Sequence, residues 1–313
     1  MAEPSQNPPL LRLGTRRSPL AMAQAEEARA RLCTAHGWSA DRVELVPVVA
    51  SGDKVLDRPL AEIGGKALWT RELDAWLHEG RIDAAVHSMK DVETLRPDWL
   101  VLAAFLPRAD VRDVLVGAAS LDAIAHGARI GTSAPRRAAQ MLRARPDCRI
   151  VGMRGNVATR LAKLEAGEAD VTLLARAGLD RLGQSDTGTP LDPEAFFPAP
   201  QQGGIGLECR SDDERVRALL AAVDDAPTRA AIEAERALLE GLGGTCHSPV
   251  AALTTIEQCE LVLRARIFDA RGAAMEEGEA RLAPGDTEPA RTLGREMIGR
   301  APQGIAALFD RAE

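Results

Sequence analysis

The chain predicts an α/β fold over most of its length, followed by a smaller α+β domain. Three observations support this. Strand-like and helix-like segments alternate from Leu11 to about Arg210. A short pattern, "RLGTRRSPLA" at 12–21, returns as "RIGTSAPRRA" at 129–138. From about Pro227 the alternation gives way to a helix, two strand-like runs and a last helix. Alternation of this kind packs helices on the faces of a sheet.

The elements follow in order. "LLRLG" reads as a strand, and Ser18 and Pro19 open a helix as N-cap and first helical residue. "VELVPVV" is a second strand. From Lys66 to Glu79 a helix is expected, with Trp69, Leu73, Trp76 and Leu77 on one face and Gly80 as its stop. "IDAAV" is the next strand and runs at once into His87, Ser88, Lys90 and Asp91. A second series covers 111–197. "RIVGMRGNVATRLAKLEAG" gives strand, turn and helix closed by Gly167, and "DVTLLA" is a buried-type strand. "FFPAPQQGG" is rich in Pro and Gly and reads as a linker. "IGLEC" follows as a strand able to return to the first lobe. A helix then runs from about Pro227 to Glu240. "CELVLRARIFD" and 273–282 are strands, and a helix follows Thr287.

Composition narrows the function. The 313 residues suggest two or three domains of about 100 residues each. A net charge of −7 and only 3% aromatic residues argue against a nucleic-acid surface. The five Cys (33, 148, 209, 246 and 259) lack zinc-ligand spacing, and their odd number argues against a disulfide framework. The five His are scattered, so no metal site is expected. No apolar run has the ~18 residues of a membrane span. The opening residues lack the apolar core of a signal peptide and read as a disordered lead-in. A soluble protein of the reducing cytosol is expected.

Arginines gather where helices begin. Arg16 and Ser18 flank the first helix start. Thr132, Ser133, Arg136 and Arg137 surround another, and Arg154 and Arg160 bracket "GNVAT". Cations are disfavoured at a helix amino terminus, so arginines there make sense around a bound anion such as carboxylate or phosphate. "GGKALW" lacks the spacing of a phosphate-binding loop, which leaves Lys66 at the edge of a Gly-rich loop. Cys246, in "GGTCHSPV", occupies a polar, Gly-rich setting that suits a reactive thiol, with His247 beside it. Cys209, inside "IGLEC", suits a buried apolar role.

Together, "TRRSPLA", "GGKALWTREL", "AAVHSMKDV", "GTSAPRR", "RGNVATRL", "AGLDRLG" and the Cys246 loop resemble, in order, the porphobilinogen deaminase (hydroxymethylbilane synthase) family. The resemblance runs from about Leu11 to the carboxyl end. It implies two periplasmic-binding-protein-like lobes with a cleft, plus a third domain. The expected domains are 10–105 with 205–222, then 111–198, then 226–313. It implies a dipyrromethane cofactor held by a thioether to Cys246, and condensation of four porphobilinogen molecules with release of ammonia. Asp91 is then the catalytic carboxylate that steadies cationic pyrrole intermediates and relays protons. His87 is read as a structural orienter. Lys90, Ser88, Thr132, Ser133, Arg136, Arg137, Arg154 and Arg160 are expected to bind the cofactor. Arg16, Ser18, Lys66, Arg154, Arg160 and Arg181 are expected to bind the substrate's acetate and propionate groups. No nucleic acid, membrane or obligate protein partner is implied, and the family leans toward monomers. Ala134, Pro135, Gln201 and Glu62 depart from residues common in relatives. Segments 106–110 and 198–204 are the expected hinges. A non-catalytic, two-lobed anion-binding protein remains the alternative.

Overall fold

The computed structural model describes residues 8–48, 70–244 and 248–309. Along the chain come β1 (Leu11–Arg16), α1 (Pro19–His36), β2 (Val43–Val48), α2 (Arg71–His78), β3 (Ala84–Ser88) and β4 (Leu100–Phe105). Then come β5 (Asp113–Val116), β6 (Arg129–Gly131), α3 (Pro135–Ala144), β7 (Arg149–Val151), α4 (Val157–Glu165), β8 (Val171–Ala175), α5 (Arg176–Arg181) and β9 (Thr189–Pro190). β10 (Ile205–Arg210), α6 (Glu214–Ala221) and α7 (Ala226–Leu242) follow. The chain continues through β11 (Val250–Glu257), β12 (Glu260–Phe268), β13 (Met275–Leu282), α8 (Glu288–Arg300) and α9 (Gln303–Ala306).

Contacts divide the chain into two units. Among the described residues, the first holds 8–48, 70–108 and 204–229, and the second holds 109–203, 230–244 and 248–309. The first unit is built on a five-stranded sheet of order β2-β1-β3-β10-β4. β1 pairs in parallel with β2 and β3, while β10 runs antiparallel between β3 and β4. "IGLEC" therefore returns to the first sheet, as the sequence suggested. Leu11 and Leu13 are fully buried, as are Leu207 and Cys209. Burial pushes the Cys209 thiol up to about 11, which suits a packing residue rather than a nucleophile.

The second unit repeats the plan with a sheet of order β7-β6-β8-β5-β9. β6 pairs in parallel with β7 and β8, and β5 runs antiparallel between β8 and β9. The same unit carries the smaller α+β part, an antiparallel β11-β12-β13 sheet covered by α7 and α8 around Leu238, Leu263 and Met297. Ala139, Phe197, Ala251, Leu253 and Phe268 pack as one cluster between the two sheets of this unit.

The internal echo is structural. Arg12 donates from its backbone N–H (2.7 Å) and its guanidinium (2.8 Å) to Asp83, and Arg129 does the same to Asp170 at 2.6 and 2.7 Å. Two residues on, Gly14 and Gly131 match as well. A Cβ on Gly14 would run into Ile82, and one on Gly131 into Met153. Each repeat thus pins the strand second from the sheet edge to a carboxylate just ahead of the neighbouring central strand, then uses Gly for close packing.

Helix boundaries follow the expected chemistry. Ser18 caps α1 by accepting from the Ala21 N–H at 3.3 Å, and Asn156 caps α4 through the Thr159 N–H at 2.9 Å. The expected 66–79 helix is present as Arg71–His78; positions 66–69 lie outside the described residues. The segment 196–204 holds no helix or strand, and its residues 196–203 are tied within the second unit. Phe197 exchanges hydrogen bonds with the Gln140 side chain at 3.0 and 2.9 Å. Gln201 sits at φ +65°, a left-handed conformation that favours Gly. Its N–H donates to Glu235, and its side chain accepts from Arg236 at 3.0 Å.

Candidate functional site

In parallel strands the carboxyl ends lie at one edge, where open α/β sheets offer their loops to ligands. In the first unit, β1 and β3 are such neighbours, with Gly14 opposite Ala85. Arg16 ends β1 and Ser18 opens α1, while Ser88 ends β3 and passes into a single 3-10 turn, Met89–Asp91. The turn is closed by the Val92 N–H on the Met89 carbonyl at 3.2 Å and entered by the Met89 N–H on the Gly204 carbonyl at 3.1 Å. Arg16, Ser18, Ser88, Lys90 and Asp91 are all partly exposed. The Asp91 carboxylate makes no hydrogen bond or ion pair among the described residues. A half-exposed carboxylate without a partner, at a strand's carboxyl end, is available to a ligand.

Behind this turn lies an ionic cluster that the sequence reading did not find. The His87 ring is buried, with Nε2 3.0 Å from Glu208 Oε2. Arg96 donates side-on to the same carboxylate, Nε and Nη2 each at 2.8 Å. It also reaches Asp74 at 2.5 Å, Glu93 at 2.8 Å and Thr70 at 3.2 Å. Burial alone would raise the Glu208 pKa, but hydrogen bonds and charge from His87 and Arg96 outweigh it and hold it down at about 2. Asp74 goes the other way: burial raises its pKa more than Arg96 lowers it. One signal was legible: Glu208 is a charge inside an apolar strand, and a buried charge requires a partner.

In the second unit, β6 has parallel neighbours on both sides, with Gly131 opposite Val151 and Thr172. Thr132, Ser133, Arg154 and the α5 helix therefore leave the sheet at one edge. Thr132 is buried and accepts the Ala134 N–H at 3.1 Å, while Ser133 is exposed at the start of α3. Arg154, Arg160 and Arg181 are partly exposed. Arg160 Nε donates to the Gly155 carbonyl at 2.9 Å, and Arg181 Nη2 to the Gly203 carbonyl at 3.3 Å.

Arg136 and Arg137 are placed differently from the other arginines. They are 5% and 6% exposed and share the fully buried Asp113, with contacts at 2.8 and 2.6 Å. Arg136 Nη1 also reaches the Phe197 carbonyl at 2.7 Å. Arg137 uses all three nitrogens, Nη1 on the Leu173 carbonyl at 2.9 Å and the other two on Asp113. Burial opposes the charge on Asp113, but the two guanidiniums hold its carboxyl well below the usual range. Burial also lowers the Arg136 pKa, against the pull of Asp113. Gln202 adds a hydrogen bond to Asp113 at 3.1 Å. Asp113 was missed because its partners lie 23 and 24 residues away in sequence.

Lys66, Glu62 and Cys246 with His247 lie outside the described residues. Among the described residues there is no group of His, Cys, Asp or Glu suited to a metal. None of the described helices is long and apolar enough to cross a membrane.

Comparison with known proteins supplies the family. A model described as porphobilinogen deaminase, dipyromethane cofactor binding domain, matches residues 11–218, and one for the C-terminal domain of porphobilinogen deaminase matches 230–299. The porphobilinogen deaminase of Sphingopyxis alaskensis is 55% identical over 306 residues, covering 96% of each chain. That of Paracoccus denitrificans is 46% identical over 310 residues, covering 97% of each. Among solved structures, the periplasmic VFT2 domain of Bordetella pertussis BvgS is 15% identical with a TM-score of 0.40, over 69% of this chain and 87% of that one.

Proposed function

The chain belongs to the porphobilinogen deaminase family, and on that premise we propose how its residues divide the work. The protein is a hydroxymethylbilane synthase. It joins four porphobilinogen molecules head to tail onto a covalent dipyrromethane, releases ammonia at each addition, and frees the linear tetrapyrrole by hydrolysis.

The residues present suit such a cofactor, whose rings carry carboxylate arms. The carboxyl-end edge of the second unit's sheet offers the exposed hydroxyl of Ser133 and the partly exposed guanidiniums of Arg154, Arg160 and Arg181. Cys246 is proposed as the thioether anchor. When bound, the cofactor supplies the initiating pyrrole carbon.

Ser88, Lys90, Thr132, Ser133, Arg136, Arg154 and Arg160 are assigned to its carboxylates, and Arg137 contributes charge, its nitrogens being engaged already. Arg16, Ser18, Lys66, Arg154, Arg160 and Arg181 are assigned to the incoming substrate. Forked guanidiniums suit carboxylates through paired hydrogen bonds, which explains basic sites in an acidic protein. Asp91 holds a negative charge where positive charge grows, and takes and returns a proton at its carboxylate oxygen. The observation that carries this assignment is the Asp91 carboxylate, partly exposed in the turn that follows β3 and without a partner among the described residues.

Asp91→Ala should keep the fold and lower turnover about 10²- to 10⁴-fold; near-normal turnover would remove Asp91 from the mechanism. Intact mass should exceed the sequence mass in the wild type made with a working pathway, and match it in Cys246→Ser. The reading also places the enzyme in the cytosol as a monomer.

A further inference from the structure

The Met89–Asp91 turn is held at both ends by one carboxylate. His87, the residue before Ser88, reaches Glu208 Oε2 at 3.0 Å. Arg96, five residues after Asp91, grips both oxygens of Glu208 at 2.8 Å. Glu208 lies on β10 opposite Ala85 of β3 and is fully buried, so it is fixed to the sheet and not to the turn. Asp74 of α2 and Thr70 add anchors on Arg96 from a third direction. The segment 88–95 is thus a loop whose two stems converge on a rigid strand.

We propose that Glu208 and Arg96 are positioning residues for the reaction, setting the place of Asp91 by clasping the chain on both sides of its turn. Neither touches Asp91, and each acts through the backbone. The planar guanidinium is essential to this geometry, because it must serve Glu208 side-on while its far nitrogens serve Asp74, Glu93 and Thr70. A lysine ammonium at Arg96 cannot reproduce that fork.

This inference rests on the assignment of Asp91 above, and its test separates the two. Amide hydrogen exchange at 89–92 is measured by mass spectrometry on cofactor-loaded protein, beside kcat and KM. Arg96→Gln should speed exchange there at least tenfold, leave exchange in β6 and β8 unchanged, and lower kcat about ten- to a hundredfold with KM within twofold. Arg96→Lys should recover less than half of the lost kcat. Should Arg96→Gln fold poorly through the orphaned Glu208 charge, the double variant Arg96→Gln with Glu208→Gln removes both charges and is read the same way. Wild-type exchange at 89–92 in whichever variant folds would overturn the proposal, whatever its turnover. If Asp91→Ala keeps turnover while Arg96→Gln loosens the turn, the Asp91 assignment falls and the clasp stands.

Discussion

The two sheets share a plan but bury opposite charge. In the first unit a single guanidinium, Arg96, faces three carboxylates, Glu208, Asp74 and Glu93. In the second, two guanidiniums, Arg136 and Arg137, face the single carboxylate of Asp113. The strand ends follow the same division. β3 leads into Asp91, whereas β8 leads into Arg176 and Arg181. One plan of strands thus accommodates two inverse buried clusters, a guanidinium among carboxylates in one unit and a carboxylate between guanidiniums in the other.

The contrast can be broken most severely at Asp113. Asp113→Ala leaves two buried guanidiniums uncompensated and should cost about 3–5 kcal/mol, measured by urea unfolding. A loss under 1 kcal/mol would mean that the pair finds other partners. The first unit should instead show its charge as acid sensitivity. The Glu208 carboxyl is held at about 2, below its ordinary 4.5, so its contribution is present above about pH 4.5 and lost as pH falls toward 2. That contribution is about 3 kcal/mol, and Glu208→Gln should flatten the stability profile across that window.

Smaller effects sharpen the comparison. Asp83 is more sheltered than Asp170, with side chains 11% and 44% exposed. Asp83→Asn should therefore cost about 1 kcal/mol by calorimetry, and Asp170→Asn less. Equal losses would show that the strand-start clasp works through its backbone hydrogen bond alone. The smallest change is expected at Gln201. Gln201→Gly relieves a left-handed backbone but loses the Arg236 contact, so stability should move by less than about 1 kcal/mol.

The sequence by itself determined the local elements and the repeat. Ser18, Asn156, Gly80 and Gly167 mark helix ends through hydrogen bonds and backbone angles that a few adjacent residues decide. The match of 12–21 with 129–138 announced two copies of one strand–helix unit, and ordered motifs announced the family. Charge at the strand ends was legible too, because Arg16, Lys90, Asp91 and Arg154 stand beside clear strand and helix signals.

Tertiary structure decided which charges are buried and with whom. Glu208 meets His87 and Arg96 across 121 and 112 residues, and Asp113 meets Arg137 across 24. No periodicity reports such pairings, since they depend on which strands become neighbours. Once two strands are hydrogen-bonded, desolvation makes an unpaired charge between them too costly to keep, and the pairing becomes obligatory.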